Sequence, residues 1–168
     1  MKSALVVTAL VILCAMPGFA QDSQVDIFGG YSYLHSDPGG LASGNASGWE
    51  ASVGWNWNKW FAIKGDISGH YCCDQRMHNF MVGPQINFHS GKVNPFLHGL
   101  IGVSHGSSDA GFSDDVLAFA FGGGIDVKAS DRISIRIAQV DYLGTRYADE
   151  TQNNVRVSAG LVFHFGKK

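Results

Sequence analysis

From Val25 onward, apolar residues recur at every second position in segments of about ten residues, and clusters of Gly, Ser, Asp and Asn separate the segments. No stretch keeps a convincing helical period. Alternation with a period of two marks strands that have one apolar and one polar face. It predicts strands near 24–34, 48–57, 60–71, 78–88, 94–104, 116–127, 132–143 and 154–165. The connections alternate in length, with short ones at Asn58-Lys59, 89–92 and 128–131 and longer ones at 35–47, 72–77, 105–115 and 144–153.

The composition of the two faces decides what surrounds them. In the last segment Val155, Val157, Ala159, Leu161, Phe163 and Phe165 share one parity, against Arg156, Ser158, Gly160, Val162 and His164. The third sets Phe61, Ile63, Gly65, Ile67 and Tyr71 against Ala62, Lys64, Asp66, Ser68 and His70, and the second sets Trp49, Ala51, Val53, Trp55 and Trp57 against Glu50, Ser52, Gly54 and Asn56. The sixth sets Leu117, Phe119, Phe121, Ile125 and Val127 against Ala118, Ala120, Gly122, Gly124 and Asp126. Eight strands closed into a barrel leave room only for a filled interior, so the parity carrying the small and charged residues is expected inside. The aromatic parity then faces outward, where water would cost roughly 1.5 to 3 kcal/mol for each large side chain. Lipid removes that cost, whereas a lipocalin-like carrier in water would need the faces exchanged. An even strand number, short turns at one end and long loops at the other match an antiparallel barrel crossing a bacterial outer membrane. Aromatics near both strand ends, such as Trp55, Trp57 and Phe163 against Tyr31, Trp49 and Tyr142, fit its two interfacial girdles.

Three places strain the pattern. Pro84 cannot donate a ladder hydrogen bond, and a bulge is expected there. Unbroken parity in the seventh strand would send Gln139 and Asp141 to the face of Ile133, Ile135 and Ile137, so a bulge near Ala138 is expected to return both to the interior. In the fifth strand Phe96 and His98 share a face; His98 is placed inward, with Leu97, Ile101 and Val103 outward.

The chain of 168 residues is 45% hydrophobic and 15% charged, which suits one domain. No apolar run reaches the ~20 residues of a spanning helix. Lys2, the apolar Ala4–Met16 stretch, Pro17 and Gly18-Phe19-Ala20 read as a signal peptide over residues 1–20 cleaved after Ala20, leaving 21–168 as the barrel domain. Leu13 before Cys14 argues against lipoprotein processing. A net charge of −2 disfavours nucleic acid as a partner. Of the cysteines, Cys72 and Cys73 remain after cleavage, and their α-carbons, ~3.8 Å apart, lie closer than the 4.4 to 6.8 Å of an ordinary disulfide.

The stretches Phe28-Gly29-Gly30-Tyr31-Ser32-Tyr33, Val82-Gly83-Pro84 and Ala159-Gly160-Leu161-Val162-Phe163-His164-Phe165, taken in order, resemble the small outer-membrane β-barrel family related to the membrane domain of OmpA. The resemblance covers the mature chain and implies an outer-membrane location in a Gram-negative-type bacterium. It also implies that Phe165 is the terminal aromatic read by the barrel-assembly machinery, although Gly166-Lys167-Lys168 follow it here. Larger members of that family carry a peptidoglycan-binding domain, and that function is not expected here.

Glu50, Lys64, Asp66, Arg136, Asp141 and Arg156 are expected to form a polar network in the lumen, because an unpaired buried ion costs on the order of several kcal/mol. Such a network plugs the barrel; a narrow ion path is the alternative. The seven histidines show no spacing of a metal site, and no cofactor is expected. His105-Gly106-Ser107 faintly resembles the His and Ser of outer-membrane lipid A deacylases, but is expected at the start of a loop. Gly122-Gly123-Gly124 lies in a strand and opens no helix, so it is no phosphate loop. The loops carry Asp37, Asp74, Asp109, Asp114, Asp115, Asp149 and Glu150 against Arg76 and Arg146, an excess suited to divalent cations, to basic partners or to plain solvation.

The functional expectation is a non-enzymatic integral outer-membrane barrel with a structural or surface-binding role, touching outer-membrane lipid and lipopolysaccharide; a narrow pore and a lipid A-modifying enzyme are the alternatives. The sequence names no ligand for the loops. With an even strand number both ends of the mature domain share the short-turn side, so protease added to intact cells is expected to cut within 35–47 or 105–115. Cleavage confined to the short turns would reverse this topology.

Overall fold

The computed structural model describes residues 24–36, 44–72, 75–108, 113–147 and 150–166. The signal-peptide segment, Cys73 and the acidic positions Asp37, Asp74, Asp109 and Asp149 lie outside them. The strands are β1 (Gln24–Ser36), β2 (Gly44–Asn56), β3 (Phe61–Cys72), β4 (Gln75–Asn87), β5 (Val93–Ser108), β6 (Ser113–Lys128), β7 (Ile133–Tyr147) and β8 (Glu150–Phe165). Each pairs antiparallel with the next, and β8 returns to β1 to close the barrel.

The strands extend further into the long-loop side than the alternation predicts. His105 pairs with Asp115 and Ser107 with Ser113, so much of the expected 105–115 loop is strand, and β7 and β8 continue to the pair Tyr147 and Glu150. Past the lipid band both faces of a hairpin meet water. Polarity then stops alternating while the backbone ladder runs on.

Within the band the outward parity is apolar throughout. Phe121 is 65% exposed and Ile137 61%, and Trp55, Phe80, Ile101 and Leu161 also project from the wall. No helix among the described residues is long and apolar enough to cross a membrane. The chain crosses with its strands, and lipid solvates this face.

Two irregularities were expected, and one is present. Opposite β8, β7 shifts register between Arg136 and Gln139, and opposite β6 the shift falls at Ile125 and Asp126. Ile137 keeps the outward parity of Ile133 and Ile135, and the extra residue after it buries Gln139 and Asp141 completely. The bulge expected at Pro84 is absent. Pro84 stays in register with Ile63, and the ladder to β5 skips Gly83 and Pro84, then resumes at Gln85 with His98 in the register that paired Val82 with Ile101. One missing N–H is accommodated by an unpaired gap without an inserted residue.

The inner face is less polar than parity suggested. Phe28, Leu34, Met81, Phe96, Leu100, Leu143 and Val162 all point inward and are buried. Both Phe96 and His98 are inside, as are the glycines that make room for neighbours. A Cβ at Gly122 would collide with Asp141 Oδ1, and one at Gly124 would lie 2.7 Å from Phe96 Cζ. The triple-glycine stretch is therefore a packing device.

An arginine replacing Leu161, inside the outward apolar run of β8 over 155–165, is expected to cost roughly 2 to 4 kcal/mol in a bilayer unfolding titration, whereas Val93→Arg beside a turn should cost about 0 to 1. Equal costs would remove the assignment of this face to lipid.

Candidate functional site: the filled lumen

Alternation along β2, β3, β7 and β8 aims Glu50, Lys64, Asp66, Asp141 and Arg156 at the barrel axis, and closure brings them together. Arg156 is fully buried. Its Nε and Nη2 donate to Asp141 Oδ2 at 2.9 and 2.6 Å, and Nη1 donates to Asp66 Oδ1 at 2.9 Å and to Ser68 Oγ at 3.2 Å. Glu50 Oε2 lies 3.5 Å from Arg156 Nε. Lys64 Nζ sits 3.6 Å from Glu50 Oε1 and 3.4 Å from Asp66 Oδ2. Three carboxylates thus surround two cations. Ser158, donating to Glu50 Oε2 at 2.6 Å, and His98, hydrogen-bonded to Asp141 Oδ1 at 2.9 Å, engage further carboxylate oxygens.

The residue that joins these groups is Gln139. Its Nε2 donates to Glu50 Oε1 at 2.8 Å and to Asp141 Oδ2 at 2.7 Å. Its Oε1 accepts from Arg136 Nη1 at 2.7 Å and from Lys64 Nζ at 3.4 Å. Sequence reasoning returned Gln139 to the interior but gave it no role. Its signal was the bulge itself, since an amide two residues before Asp141 shares the face of Asp141.

Arg136 stands apart from the cluster and touches it only through Gln139. Its Nε and Nη2 grip both oxygens of Asp126 at 2.7 and 2.9 Å. The guanidinium lies between two rings, 4.3 Å from the Phe28 centroid and 4.2 Å from that of Phe96. Stacking of this kind suits the planar, weakly hydrated arginine and would be lost with lysine. Asp126, Phe28 and Phe96 escaped the sequence reading as site residues because only closure of the barrel sets them around Arg136.

On the long-loop side of His98 and Asp141 the filling is mixed, with buried Ser32, His70, Asn79, Ser104, Thr145 and Asn154 beside an apolar cluster. Leu34, Met81, Leu100, Ala118, Ala120 and Leu143 form one buried cluster. Phe165, expected as the assembly signal, ends β8 as an exposed residue on the outward parity.

Two histidine arrangements carry a catalytic look. His164 is hydrogen-bonded through Nε2 to Ser134 Oγ at 2.8 Å and through Nδ1 to Asp26 Oδ1 at 2.6 Å. An acyl-transfer site also needs donors aimed at the oxyanion. The backbone N–H groups of a closed barrel lie in the plane of the sheet and bond to neighbouring strands, so none points into the lumen beside Ser134. His105, expected in a loop, lies in β5 instead, on the outer parity with Ser107, and its Nδ1 is hydrogen-bonded to Asp115 Oδ1 at 2.6 Å. Both side chains of that pair are well exposed. Among the described residues no three His, Cys, Asp or Glu side chains converge as metal ligands.

Glu50→Gln and Arg156→Gln are each expected to destabilise the barrel by about 3 to 5 kcal/mol, since each leaves a buried charge short of a partner. The double variant should cost less than the sum by about 0.5 to 3 kcal/mol. Simple additivity in a double-mutant cycle would separate the two residues energetically despite their contact.

The comparisons with known proteins agree with this architecture. The family described as outer membrane protein beta-barrel domain matches residues 6–165. No curated protein matches the chain. Among solved structures, Neisserial surface protein A is similar with a TM-score of 0.68 at 14% identity, over 86% of this chain and 99% of its own. The attachment invasion locus protein Ail of Yersinia pestis aligns with a TM-score of 0.60 at 18% identity, over 86% and 100%. The N-terminal β-barrel domain of Pseudomonas aeruginosa OprF gives 0.56 at 12%, also over 86% and 100%. At these identities the likeness is one of fold. The family match over nearly the whole length, joined to the closed eight-stranded barrel and its apolar girdle, establishes that the chain belongs to the outer membrane protein beta-barrel domain family and resides in the outer membrane of a Gram-negative-type bacterium.

Proposed function

We propose that the protein is a plugged, non-enzymatic barrel with a structural or surface-presenting role in the outer membrane. The observation that carries this reading is the contact between Lys64 Nζ and Gln139 Oε1 at 3.4 Å. In a ring of eight, β3 and β7 stand on opposite walls. Side chains that meet across the full bore, packed among the buried Glu50, Asp66, Asp141 and Arg156, obstruct the lumen at that depth, and an apolar cluster around Leu100 and Leu143 lies beyond it.

In this reading residues 1–20 are a signal peptide removed after Ala20, and the barrel-assembly machinery recognises the β8 end at Phe165. Lipopolysaccharide surrounds the long-loop half, and the loops meet whatever the cell surface presents. Ail is known in complex with the heparin analogue sucrose octasulfate. The loop ends here hold an excess of Asp and Glu over Arg, and that charge disfavours a sulfated polyanion and favours cationic or metal-bridged partners.

The test is single-channel recording in planar bilayers. The folded barrel is expected to give no discrete conductance steps, whereas steps in the unmodified protein would replace the plug with a narrow pore.

A further inference from the structure

The short-turn end of the lumen opens into a bowl of about 410 Å³, within the ~300 to 1,000 Å³ usual for small-molecule sites. Its floor is the Phe28, Arg136 and Phe96 stack together with Val162. Its wall is a girdle of hydrogen-bonded side chains. Gln85 Nε2 donates to Asn87 Oδ1 at 2.6 Å, Asn87 Nδ2 to Asn56 Oδ1 at 2.9 Å, and Asn56 Nδ2 to Asp26 Oδ2 at 2.7 Å. From Asp26 the relay continues through His164 to Ser134.

The girdle is interrupted at Asn94, which also lines the bowl. Asn94 Oδ1 is buried and meets no hydrogen-bond donor. The terminal torsion of asparagine is soft, so turning this oxygen towards a donor in the bowl breaks no existing bond of Oδ1. It also gives a partner to an acceptor that is unfavourable to leave unmet.

The charges inside the bowl are matched within the chain, and Lys59 stands exposed at the rim. Arg136 holds Asp126 at 2.7 Å, Lys128 holds Asp131 at 2.8 Å, and Lys64 beneath lies against Glu50 and Asp66. Inside the rim an incoming ion would find no strong unmatched counter-charge, and water screens Lys59 at the mouth. The side-chain amides offer both donors and acceptors, which suits groups that do the same. Trp57, half exposed at the rim, adds an apolar face for ring C–H groups.

We propose that this bowl, facing the periplasm, binds a neutral molecule of mono- to disaccharide size that carries several hydroxyl or amide groups. Asn94 accepts one of its donors, and the second N–H of Asn87 meets an acceptor on it. The site is independent of the plug above it, because no ligand needs to pass Arg136.

The experiment uses the full chain folded in phospholipid nanodiscs and titrated with N,N′-diacetylchitobiose, followed by amide and indole NMR shifts. Saturable shifts confined to residues around the bowl are expected. Asn94→Leu and, separately, Asn87→Leu should each weaken binding by about tenfold, the scale of one well-formed hydrogen bond, with folding verified by unchanged β-sheet circular dichroism. Inorganic phosphate and spermidine should leave the same residues unmoved. Absence of saturation at any soluble concentration in the unmodified barrel would overturn the site. Equal perturbation by phosphate or spermidine would overturn the neutral class, and undiminished affinity in both folded variants would overturn the role of the girdle. Conductance reads the plug separately, so failure of one leaves the other standing.

Discussion

A ring of eight strands is so narrow that side chains from opposite walls touch, and every other feature of this lumen answers to that fact. Lys64 reaches Gln139 across the bore, and Arg156 reaches Asp66, three strands away around the ring. In so little space a charge cannot keep its water, and the loss of hydration is offset only by counter-charges and hydrogen bonds of good geometry. Small residues follow from the same confinement. Gly122 leaves room for Asp141, and Gly124 leaves room for the Phe96 ring that packs against Arg136.

The ion cluster also ties the register of distant strands together. A slip of one residue exchanges the faces of a strand, and in β3 or β8 it would move Lys64, Asp66 or Arg156 from the lumen into lipid. Glu50, Asp66, Asp141 and Arg156 come from β2, β3, β7 and β8, so their mutual contacts are satisfied only when all four strands are correctly set. The β7 bulge belongs to the same arrangement. Without the extra residue near Ala138, Gln139 and Asp141 would face acyl chains, and Arg156 would lose its shortest ion pair.

Along the axis the filling changes character with its surroundings. The open bowl at the short-turn end is polar, with its inner charges matched within the chain and Lys59 exposed at the rim. The Arg136 stack floors the bowl, Lys64 belongs both to its lining and to the ion cluster, and an apolar cluster lies beyond. The outer wall serves lipid and the lumen serves closure, which leaves the two ends for recognition.

Periodicity alone determined the strands, their parity and the solvent of each face, because a strand half in lipid must alternate and a narrow barrel must hide its charges. It also placed Glu50, Lys64, Asp66, Arg136, Asp141 and Arg156 on the inner parity and located the β7 bulge, since Ile137 and Asp141 cannot share a face in lipid. Strand ends were out of reach, because alternation ceases where both faces meet water, as at His105 and Asp115. So was the response to Pro84, because a missing N–H can be met by a gap or by a bulge with equal local logic. Which inner residues touch was decided only by closure. Gln139 between Glu50 and Lys64, Asp126 with Arg136, and the girdle from Gln85 to Ser134 join strands far apart in the chain. Their distances depend on the diameter and stagger of the closed ring, which no single segment encodes.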